Sequence, residues 1–555
     1  MMFFPLIVGF GAAVVAARTT SSPSPTSTAF DSGVPTDAPI LGDYSGPLRP
    51  QIHFSPPRNF MNDPNGCFLD ANGTWHLYYQ YNPTDVVAGN QHWGHATSQD
   101  LYHWDNQKIA IFPDNQFEQI FSGSAVIDTN NTSDFFPNQT NGVVAIYTLN
   151  TNVSQTQNIA FSVDGGYTFT KFSGNPVLAL DPPSTQFRDP KVSRIGDNWV
   201  MTVSYAQEFT IGIFTSPDLK TWTHASNFSH HGLLGLQYEC PGLIEMPVEG
   251  SSESLFLLII SINPGAPQGG SITEYFPGTF NGTHFEPVDG AARIADFGKD
   301  NYAGQFFYGT DPGNPVFIGW SSNWQYSQVV PTGSLEHWRS SMSLPRKTRL
   351  ANVTRIGWDL LSTPYNLSSI FTTQLAHKSN IGNGSVEVNY KSVQSGAVYF
   401  QANVTNIPPN AIAQGTLNFT FSSSASKEAV KGGFFLGGDT PLWIDRSQTR
   451  GFDNPFFTDK FSTNNVITMD ADGKAGSFTL EGVIDRSILE VFLDNGRSSA
   501  TTTFFPTKPL DTLVVAAGGL NANVGVSVTV WGLKDAWLAK TSQDGLVHGN
   551  ITKTA

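Results

Sequence analysis

Short apolar segments recur along the first part of the chain at a nearly constant interval. Five of them are rich in aromatic and β-branched residues, as strands are, and their first residues lie 68, 56, 56 and 61 positions apart. These segments are residues 75–79, 143–147, 199–203, 255–259 and 316–320. Strand-rich units that repeat in this way are typical of β-propeller blades, which usually contain four strands each. The pattern therefore predicts a five-bladed β-propeller over residues 46–360.

A different pattern follows the repeat. After a linker predicted over residues 361–384, apolar and polar positions alternate in segments separated by glycine and asparagine, for example at 385–390 and 524–531. Alternation of this kind indicates half-buried strands of an antiparallel sandwich. We therefore predict an all-β fold, in which the five-bladed β-propeller is followed by a C-terminal antiparallel β-sandwich over residues 385–540 and a tail over 541–555.

The start of the chain differs from both patterns. Residues 1–17 combine a short apolar core with a small-residue end, which predicts a secretory signal peptide, and residues 18–45 are rich in Ser, Thr and Pro, as flexible leaders are. Asn-x-Ser/Thr triplets, the acceptors of N-linked glycans, are numerous. Together these features predict a secreted, N-glycosylated protein. The triplets begin at Asn72, Asn130, Asn131, Asn138, Asn152, Asn227, Asn281, Asn352, Asn366, Asn383, Asn403, Asn418 and Asn550.

Composition and charge narrow the class of partner. The 555-residue chain carries a formal net charge of −15, which argues against nucleic acid and anionic membranes, because both attract clustered Lys and Arg. A neutral ligand such as a sugar remains compatible with this charge. The chain has two cysteines, Cys67 and Cys240, and we predict that both are free and buried, since lone cysteines usually behave as small apolar residues.

Three carboxylates are candidates for chemistry because each lies beside or near a proline and shortly before a repeated apolar segment. Asp63 precedes its segment by 12 residues, Asp189 by 10 and Glu239 by 16. Taken singly, each motif is also typical of an ordinary turn. In a propeller, however, the first strand of every blade lines the central channel, so carboxylates at this position are predicted to meet in one funnel. Paired carboxylates on rigid strands are what cleavage of a glycosidic bond requires.

Four short motifs occur in order on the predicted propeller, at residues 60–66, 121–125, 187–190 and 238–242, and a fifth lies on the predicted sandwich at 485–492. With these motifs the chain resembles glycoside hydrolase family 32, the β-fructofuranosidases, and within it the secreted yeast-type invertases. The resemblance extends over about residues 48–540. It implies a retaining hydrolase that acts on sucrose and short fructosides through a fructosyl-enzyme intermediate, with fructosyl transfer at high sucrose.

The resemblance also implies a role for each carboxylate. Asp63 matches the nucleophile, Glu239 the general acid/base and Asp189 the residue that stabilises the transition state. Arg188 is expected to help keep Asp189 ionised, because a neighbouring cation favours the charged carboxylate. Glu239 must be protonated when substrate binds, so we expect an apolar setting and a neighbouring carboxylate, both of which raise a carboxyl pKa.

Further positions match substrate-binding residues of the family. The mechanism requires no metal or other cofactor, and the pair His92 and His95 lacks a third ligand nearby in sequence. We therefore predict a small sugar as the partner and no cofactor, and leave the oligomeric state open. The matched positions are Asn62, Gln80, Trp93, Phe121, Ser122, Arg188 and Trp324, with Asn263, Gln186 and Gln237 on the side of the leaving group.

Two positions depart from the family pattern. Phe60 and Ala88 stand where many members have tryptophan, and the smaller Ala88 is expected to open the rim of the sugar pocket. This leaves the ratio of hydrolysis to transfer open. The alternative functions are a dedicated sucrose fructosyltransferase, an exo-inulinase, and a sugar-binding propeller without catalysis.

Overall fold

The structure is a computed structural model that describes residues 33–353, 357–408, 415–436, 441–464, 467–469, 473 and 475–537. The predicted signal peptide, the first part of the predicted leader and the predicted tail over residues 541–555 lie outside the described residues. Among the residues that are described, no helix is long and apolar enough to cross a membrane.

The first part of the described chain forms five mainly antiparallel sheets, each with four consecutive or nearly consecutive strands. One short α-helix, α1 (Thr332–Glu336), lies in the last connection. The strands are β1 (Asn59–Leu69), β2 (Trp75–Asn82), β3 (His92–Ser98), β4 (Trp104–Asn106), β5 (Gln119–Ile127), β6 (Val143–Asn150), β7 (Gln155–Ser162), β8 (Thr170–Lys171), β9 (Phe187–Ile195), β10 (Asn198–Tyr205), β11 (Thr210–Ser216), β12 (Thr223–Ser229), β13 (Tyr238–Pro247), β14 (Ser254–Ile262), β15 (Ile272–Phe280), β16 (Phe285–Pro287), β17 (Tyr302–Phe306), β18 (Val316–Trp320), β19 (Trp338–Arg339), β20 (Arg346–Val353) and β21 (Gly357–Pro364).

The five sheets are the blades of the predicted propeller, and each repeated apolar segment lies within the second strand of its blade. These strands are β2, β6, β10, β14 and β18. A second strand lies between two others and is covered on both faces by neighbouring blades, so it carries an apolar run in place of alternation. The first strands, β1, β5, β9, β13 and β17, precede them and face the channel.

The ring of blades is closed by β19. This strand comes from the last blade's connection but pairs in parallel with β1, with Asn59 opposite Trp338 and Phe60 opposite Arg339. The backbone N–H of Asn59 also donates to the carbonyl of His337 at 2.8 Å. The strand that carries Asp63 is therefore held by both ends of the propeller sequence.

The second part of the described chain forms a sandwich of two antiparallel sheets. One contains β22, β34, β24, β30, β31 and β32 with β29 at its edge, and the other contains β23, β33, β25, β26, β27 and β28. Their inner faces share one buried apolar core. The strands are β22 (Phe371–Lys378), β23 (Ser385–Asn389), β24 (Ala397–Ile407), β25 (Thr416–Ser422), β26 (Ala429–Phe435), β27 (Pro441–Asp445), β28 (Lys460–Asn464), β29 (Thr468–Met469), β30 (Gly476–Asp485), β31 (Ile488–Leu493), β32 (Ser498–Thr503), β33 (Thr512–Gly518) and β34 (Gly525–Leu533).

The predicted linker over residues 361–384 is wrong in detail. The end of β21 still belongs to the fifth blade, and β22 already belongs to the sandwich, where it pairs with β34. Only a short segment with one 3₁₀ turn, Leu367–Ser369, separates them. The prediction failed because β22 is a largely exposed edge strand and so lacks the apolar alternation that reveals a half-buried strand.

A buried ion-pair cluster joins the two domains, and we call it the interface cluster. Its members are His53, Asp296 and Arg346 from the propeller side and Asp485 and Glu490 from the sandwich. The Arg346 guanidinium lies 2.7 Å from Glu490 Oε2 and 3.0 Å from Asp296 Oδ2, and His53 Nδ1 lies 2.9 Å from Asp485 Oδ2. The motif at residues 485–492 therefore contributes to domain docking.

Candidate active site

The ladder between first and second strands is interrupted near the same end of every blade. Irregularities lie between Met61 and Pro64, between Phe121 and Gly123, between Glu239 and Gly242, between Tyr302 and Gln305, and in β9 opposite residues 202–204. Proline has no backbone N–H and cannot continue the ladder, which explains the breaks at Asp-Pro and Cys-Pro. Such bulges re-aim side chains, and here they lie beside the candidate carboxylates.

Three of these first strands also hold a non-glycine residue in the left-handed region of backbone space. The φ angles are 66° at Asp189, 46° at Cys240 and 53° at Ala303. This conformation is unfavourable for residues with a Cβ and persists where the surrounding structure enforces it, often at functional sites. The equivalent positions of three adjacent blades thus share one local distortion at the channel mouth.

The structure brings the three predicted carboxylates together. Cys240 Sγ lies 3.4 Å from Asp63 Oδ2 and 3.6 Å from Asp189 Oδ2, although these residues come from three different blades. The backbone N–H of Cys240 also donates to Asp189 Oδ2 at 3.0 Å. Glu239 precedes Cys240 directly, so all three carboxylates surround one point of the channel. As predicted, Cys67 and Cys240 are both free and buried.

Asp63 is held by neutral donors. Its Oδ2 accepts from the Ser122 hydroxyl at 2.7 Å, and its Oδ1 accepts from Asn62 Nδ2 at 3.2 Å. Gln91 Nε2 donates to Asn62 Oδ1 at 2.8 Å and thereby fixes the orientation of the Asn62 amide. Burial raises the pKa of Asp63 to about 6, with a further contribution from the negative charge of Glu239, and the hydrogen bond from Ser122 only partly offsets this.

Asp189 is more destabilised in its ionised form than the sequence predicts. Burial raises its pKa, the Arg188 charge lowers it, and the nearby charges of Glu239 and Asp63 raise it again, for a net increase above the usual value. As expected, Arg188 helps to keep Asp189 ionised, but its effect does not outweigh burial and the two neighbouring carboxylates. The nearest contact, from Arg188 Nε to Asp189 Oδ2, is 4.0 Å, because the guanidinium turns toward Glu239.

Glu239 lies in a polar setting, which corrects the expected apolar one. Arg188 donates to Glu239 Oε1 from Nη2 at 2.8 Å and from Nε at 3.2 Å. The Tyr302 hydroxyl donates to the other oxygen, Oε2. Burial holds the pKa of Tyr302 well above its usual value, so the phenol remains a donor. Both carboxylate oxygens are thus oriented by charged or polar partners, while 15% of the side chain stays accessible.

Sequence reasoning missed Tyr302. It lies on the first strand of the fifth blade at the level of the carboxylates, but neither a proline nor a charged residue stands next to it in the chain. The signal that could have identified it is its position shortly before the fifth repeated apolar segment, where the other blades carry their functional residues.

Arg188 also donates hydrogen bonds to three amide side chains. Its Nη1 donates to Gln186 Oε1 at 2.9 Å and to Gln155 Oε1 at 3.4 Å, and its Nη2 donates to Gln237 Oε1 at 3.0 Å. Gln186 and Gln237 therefore point their amide nitrogens away from Arg188. Asn263 is placed next to this group by a backbone hydrogen bond to Gln237 at 3.3 Å. Gln155 is a second residue that the sequence did not reveal.

The remaining predicted binding residues fall into two groups. Trp93 has no exposed surface, and its indole N–H donates to the carbonyl of Phe121 at 3.0 Å. A sugar-contacting role for Trp93 is therefore wrong, and the residue supports Phe121 from the core. Gln80 is almost as buried and donates to the carbonyl of Ile120 at 3.0 Å, whereas Phe121 and Trp324 keep accessible surface.

The two departures from the family pattern lie beside each other. Phe60, Trp320 and Trp324 form an aromatic group next to Cys240 and Tyr302, and Ala88 packs against this group. The loop that carries Ala88 is tied to the fifth blade, since its backbone N–H donates to Gln328 Oε1 at 3.1 Å. The small side chain of Ala88 therefore lies at the edge of the pocket, on a loop whose backbone is held in place.

The described residues contain no group of three or more His, Cys, Asp or Glu side chains arranged to hold a metal ion. His92 instead contacts the carbonyl of Asn90 through Nδ1 at 2.6 Å. His95 Nε2 lies 3.1 Å from His76 Nδ1, inside a stack of buried aromatic rings.

Comparison with known proteins gives one consistent family. The model of the glycosyl hydrolases family 32 N-terminal domain matches residues 53–364, and that of the family 32 C-terminal domain matches residues 366–532. Invertase 2 of Saccharomyces cerevisiae is 41% identical over 505 residues, covering 86% of this chain and 92% of the relative. An extracellular exo-inulinase of Meyerozyma guilliermondii is 43% identical over 473 residues, covering 82% of this chain and 90% of the relative.

Solved structures agree with these relatives. A fructofuranosidase from Schwanniomyces occidentalis complexed with fructose matches with a TM-score of 0.82 and 39% identity, over 89% of this chain and all of that one. The exo-inulinase of Aspergillus awamori matches with a TM-score of 0.79 and 31% identity, over 89% of this chain and all of that one. The propeller followed by a sandwich is thus shared over nearly the whole described chain.

Proposed function

This chain belongs to glycosyl hydrolase family 32, and from that premise we propose a retaining β-fructofuranosidase in which Asp63, Glu239 and Asp189 carry the reaction. The enzyme hydrolyses sucrose, as its invertase relatives and fructofuranosidase structural neighbours support. The roles of the individual residues, the transfer of fructosyl groups and the preference among fructosides form part of the proposal.

In the first step, a carboxylate oxygen of Asp63 attacks the anomeric carbon of the fructosyl unit. The bond between that carbon and the bridging oxygen breaks, and Glu239 gives its proton to the departing oxygen, which leaves as a hydroxyl of glucose. In the second step, Glu239 takes a proton from water, whose oxygen attacks the anomeric carbon and displaces Asp63. Two displacements retain the configuration of the sugar.

The surrounding residues support each step. Ser122 and Asn62 hold the Asp63 carboxylate in one orientation, and Tyr302 and Arg188 do the same for Glu239. Asp189 is placed to accept hydrogen bonds from fructosyl hydroxyls, which strengthen as positive charge develops on the ring. The accessible amides of Gln186, Gln237 and Asn263 suit the hydroxyls of the leaving group.

The observation that carries the proposal is the junction at Cys240. One side chain contacts both Asp63 and Asp189, and its backbone neighbour Glu239 faces the same channel. An enzyme that cleaves a sugar linkage needs two carboxyl groups close enough to act on one bond.

Product chromatography on sucrose at low and high concentration tests the function. We expect equal glucose and fructose at low sucrose, and nuclear magnetic resonance of the first product should show the β anomer of fructose. The Asp63→Asn variant should release neither sugar at a measurable fraction of the wild-type rate. Wild-type rates in this variant, or initial release of the α anomer, would remove the proposed mechanism.

Exo-inulinase is the second candidate, because relatives and neighbours with that name match the chain as well as several invertases do. Inulin tested in parallel with sucrose separates the two: faster release of fructose from inulin favours the exo-inulinase. Excess glucose over fructose with new trisaccharides would instead indicate a dedicated fructosyltransferase. The non-catalytic sugar-binding propeller would release no sugar from either substrate.

Secretion and N-glycosylation are also proposed. A relative at 43% identity is described as extracellular, and several acceptor triplets, such as those at Asn72 and Asn281, start at exposed asparagines in turns. Enzymatic removal of N-glycans from the protein recovered from the medium should lower its apparent mass. Recovery of the protein only inside the cells, or an unchanged mass, would contradict this part of the proposal.

A further inference from the structure

A cavity of about 290 Å³ lies along the first strands of the third, fourth and fifth blades, beyond the candidate carboxylates. Its walls come from residues 191–196 in and after β9, 241–245 in β13 and 304–310 in and after β17, and the first residues of these strands belong to the candidate active site. The lining begins two residues after Asp189, at Lys191, and extends along β9 to Gly196, away from the carboxylates. The volume is close to the lower end of the ~300–1,000 Å³ range of ligand pockets.

The first charged group in the lining is Lys191, which is 9% exposed. Its Nζ donates to the carbonyl of Phe306 at 3.0 Å and approaches Gln305 Oε1 at 3.5 Å, and both of these acceptors are neutral. Among the described residues, no carboxylate forms an ion pair with it. Burial lowers the pKa of Lys191 to about 8, so the side chain still carries its charge at neutral and acidic pH.

The second charged group in the lining is Arg194. Its guanidinium carbon lies 5.0 Å from the centre of the Trp199 ring, and its Nη1 is buried without a hydrogen-bond partner in the described part of the chain. A buried donor of this kind is costly to leave unsatisfied. The carboxylate in the lining, Glu245, is exposed and accepts from the Ser254 hydroxyl, so it satisfies neither cation.

Apolar side chains form much of the rest of the wall, including Ile195, Ile244 and Phe256. A cavity with two incompletely satisfied cations and an apolar wall matches a ligand with one anionic group and an apolar body. We propose that this cavity, which we call the channel-end site, binds a small organic carboxylate. The carboxylate pairs with Arg194, whose Nη1 has no partner among the described residues, and the apolar body packs against the isoleucines and Phe256.

Calorimetric titration of the full-length glycoprotein with benzoate tests the site, because benzoate combines both properties. Inorganic phosphate supplies a charge without an apolar body, and benzyl alcohol supplies the apolar body without a charge. We expect benzoate to saturate one site below about 10 mM and each of the other two probes to bind at least about tenfold more weakly. Equal binding of benzyl alcohol, or no binding of benzoate, would overturn the proposal.

Variants locate the binding. Arg194→Gln removes the charge and the unsatisfied donor and should weaken benzoate at least about tenfold, while sucrose hydrolysis stays unchanged. Arg450→Gln, at a side chain that is 64% exposed, is the matched control and should leave the Kd unchanged. Ile195→Phe fills the cavity from its partly exposed wall and should abolish binding even if Arg194→Gln folds poorly. Unchanged benzoate affinity in both cavity variants would contradict the assignment.

Fructose separates the channel-end site from the active site. Saturating fructose should leave the benzoate Kd unchanged, and Asp63→Asn should bind benzoate like the wild type. Displacement of benzoate by fructose would place it among the catalytic carboxylates and overturn the proposal. The result does not depend on the proposed catalytic function, because binding is measured without turnover.

Discussion

The active site and the interface cluster each contain three carboxylates, but the electrostatic environments of these carboxylates differ. In the active site, Arg188 is the only cation within 4.0 Å of Asp63, Asp189 or Glu239 among the described residues. In the interface cluster, Arg346 and His53 serve Asp296, Asp485 and Glu490. Burial raises the pKa of Asp63 and Asp189, whereas the pKa values of Asp485 and Glu490 are lowered despite complete burial.

The difference comes from hydrogen-bond donors. Burial disfavours the charge of Asp485, but the carboxylate accepts from His53 and from the backbone N–H groups of Gln51, Ile52 and His53 at 2.8, 2.7 and 3.0 Å. Glu490 accepts two guanidinium N–H groups of Arg346 and the backbone N–H of Leu344. The Asp63 carboxylate has three neutral donors: one hydroxyl, one amide and one thiol. Carboxylates whose loss of hydration is offset by several donors therefore stabilise the fold, whereas carboxylates with fewer or weaker donors remain available for chemistry.

One member of the interface cluster departs from this contrast. Asp296 shares Arg346 with Glu490, and burial raises its pKa above the usual value. His53 behaves in the opposite sense to a buried histidine without partners: burial lowers its pKa, but the hydrogen bond to Asp485 and the nearby Glu490 carboxylate, 3.4 Å away, raise it to about 9. Its contribution to stability is fully present below its unfolded pKa and is lost as the pH rises through about 9.

The largest expected effect tests whether the two clusters differ in function. Replacing the proposed nucleophile by Asp63→Asn should lower kcat by about 10⁴-fold or more, because no covalent intermediate can form. The same change in the other cluster, Asp485→Asn, should leave kcat within about twofold when measured on folded protein at low temperature. A large loss of kcat in the folded Asp485→Asn variant would show that the contrast between the clusters is wrong.

The next effect concerns stability. Arg346→Met leaves Glu490 and Asp296 buried without their main cation and should lower the free energy of unfolding by about 3–5 kcal/mol in urea titrations. Arg349→Met on the same strand is the matched control, because its ion pair with Glu249 at 2.5 Å is partly exposed. That variant should cost about 1 kcal/mol or less. Equal losses in both would mean that burial does not distinguish the two pairs.

A third prediction concerns whether a carboxylate of each cluster raises or lowers the free energy of unfolding. Asp63 has a raised pKa, so its destabilising charge develops as the pH rises through about 6. Asp63→Asn should therefore raise the free energy of unfolding by about 2 kcal/mol at pH 7, and the gain should shrink toward pH 4. Asp485→Asn should be destabilising at pH 7, because a carboxylate with a lowered pKa stabilises the fold above its unfolded pKa. Thermal denaturation at both pH values measures each change, and destabilisation of Asp63→Asn at pH 7 would contradict the prediction.

The sequence predicted the active site better than the interface cluster. Asp63, Asp189 and Glu239 could be found because a repeated strand pattern and a nearby proline mark all three. The propeller topology then places the first strands of all blades around one channel. His53 and Arg346 belong to no repeat and no motif, and their partners in the sandwich lie more than a hundred residues away in the chain. Pairs of this kind depend on how two domains dock, which a single sequence does not reveal.

The electrostatic environment was the least predictable part of the site. The apolar setting expected for Glu239 was wrong, because adjacency in sequence does not determine the direction of a long side chain. Arg188 does lower the pKa of Asp189, as expected, but burial and the two other carboxylates outweigh it. Arg188 turns past its neighbour to reach the fourth blade. Trp93 was assigned to sugar binding because its position matches the family pattern, and a match in sequence does not tell whether a strand residue faces the channel or the core between blades.

The smallest effect that we predict compares two buried tyrosines, one near each cluster. Tyr302 donates to Glu239, and Tyr326 donates to Asp300, which is paired with Arg446 at the domain interface. Tyr302→Phe should lower kcat on sucrose by about tenfold, since Glu239 loses one of the donors that orient it, while KM changes little. The control Tyr326→Phe should leave kcat unchanged and lower the free energy of unfolding by about 1–2 kcal/mol.

A substrate with a better leaving group distinguishes positioning of Glu239 from a general structural role of Tyr302. With an aryl β-fructofuranoside, the departing oxygen needs less protonation, so the defect of Tyr302→Phe should shrink to a few-fold at most. A variant that is merely misfolded would lose the same fraction of activity on both substrates. An equal loss on sucrose and on the aryl fructoside would therefore show that Tyr302 does not assist proton transfer by Glu239. It would also contradict the claim that the hydrogen-bond donors of the active site serve the reaction.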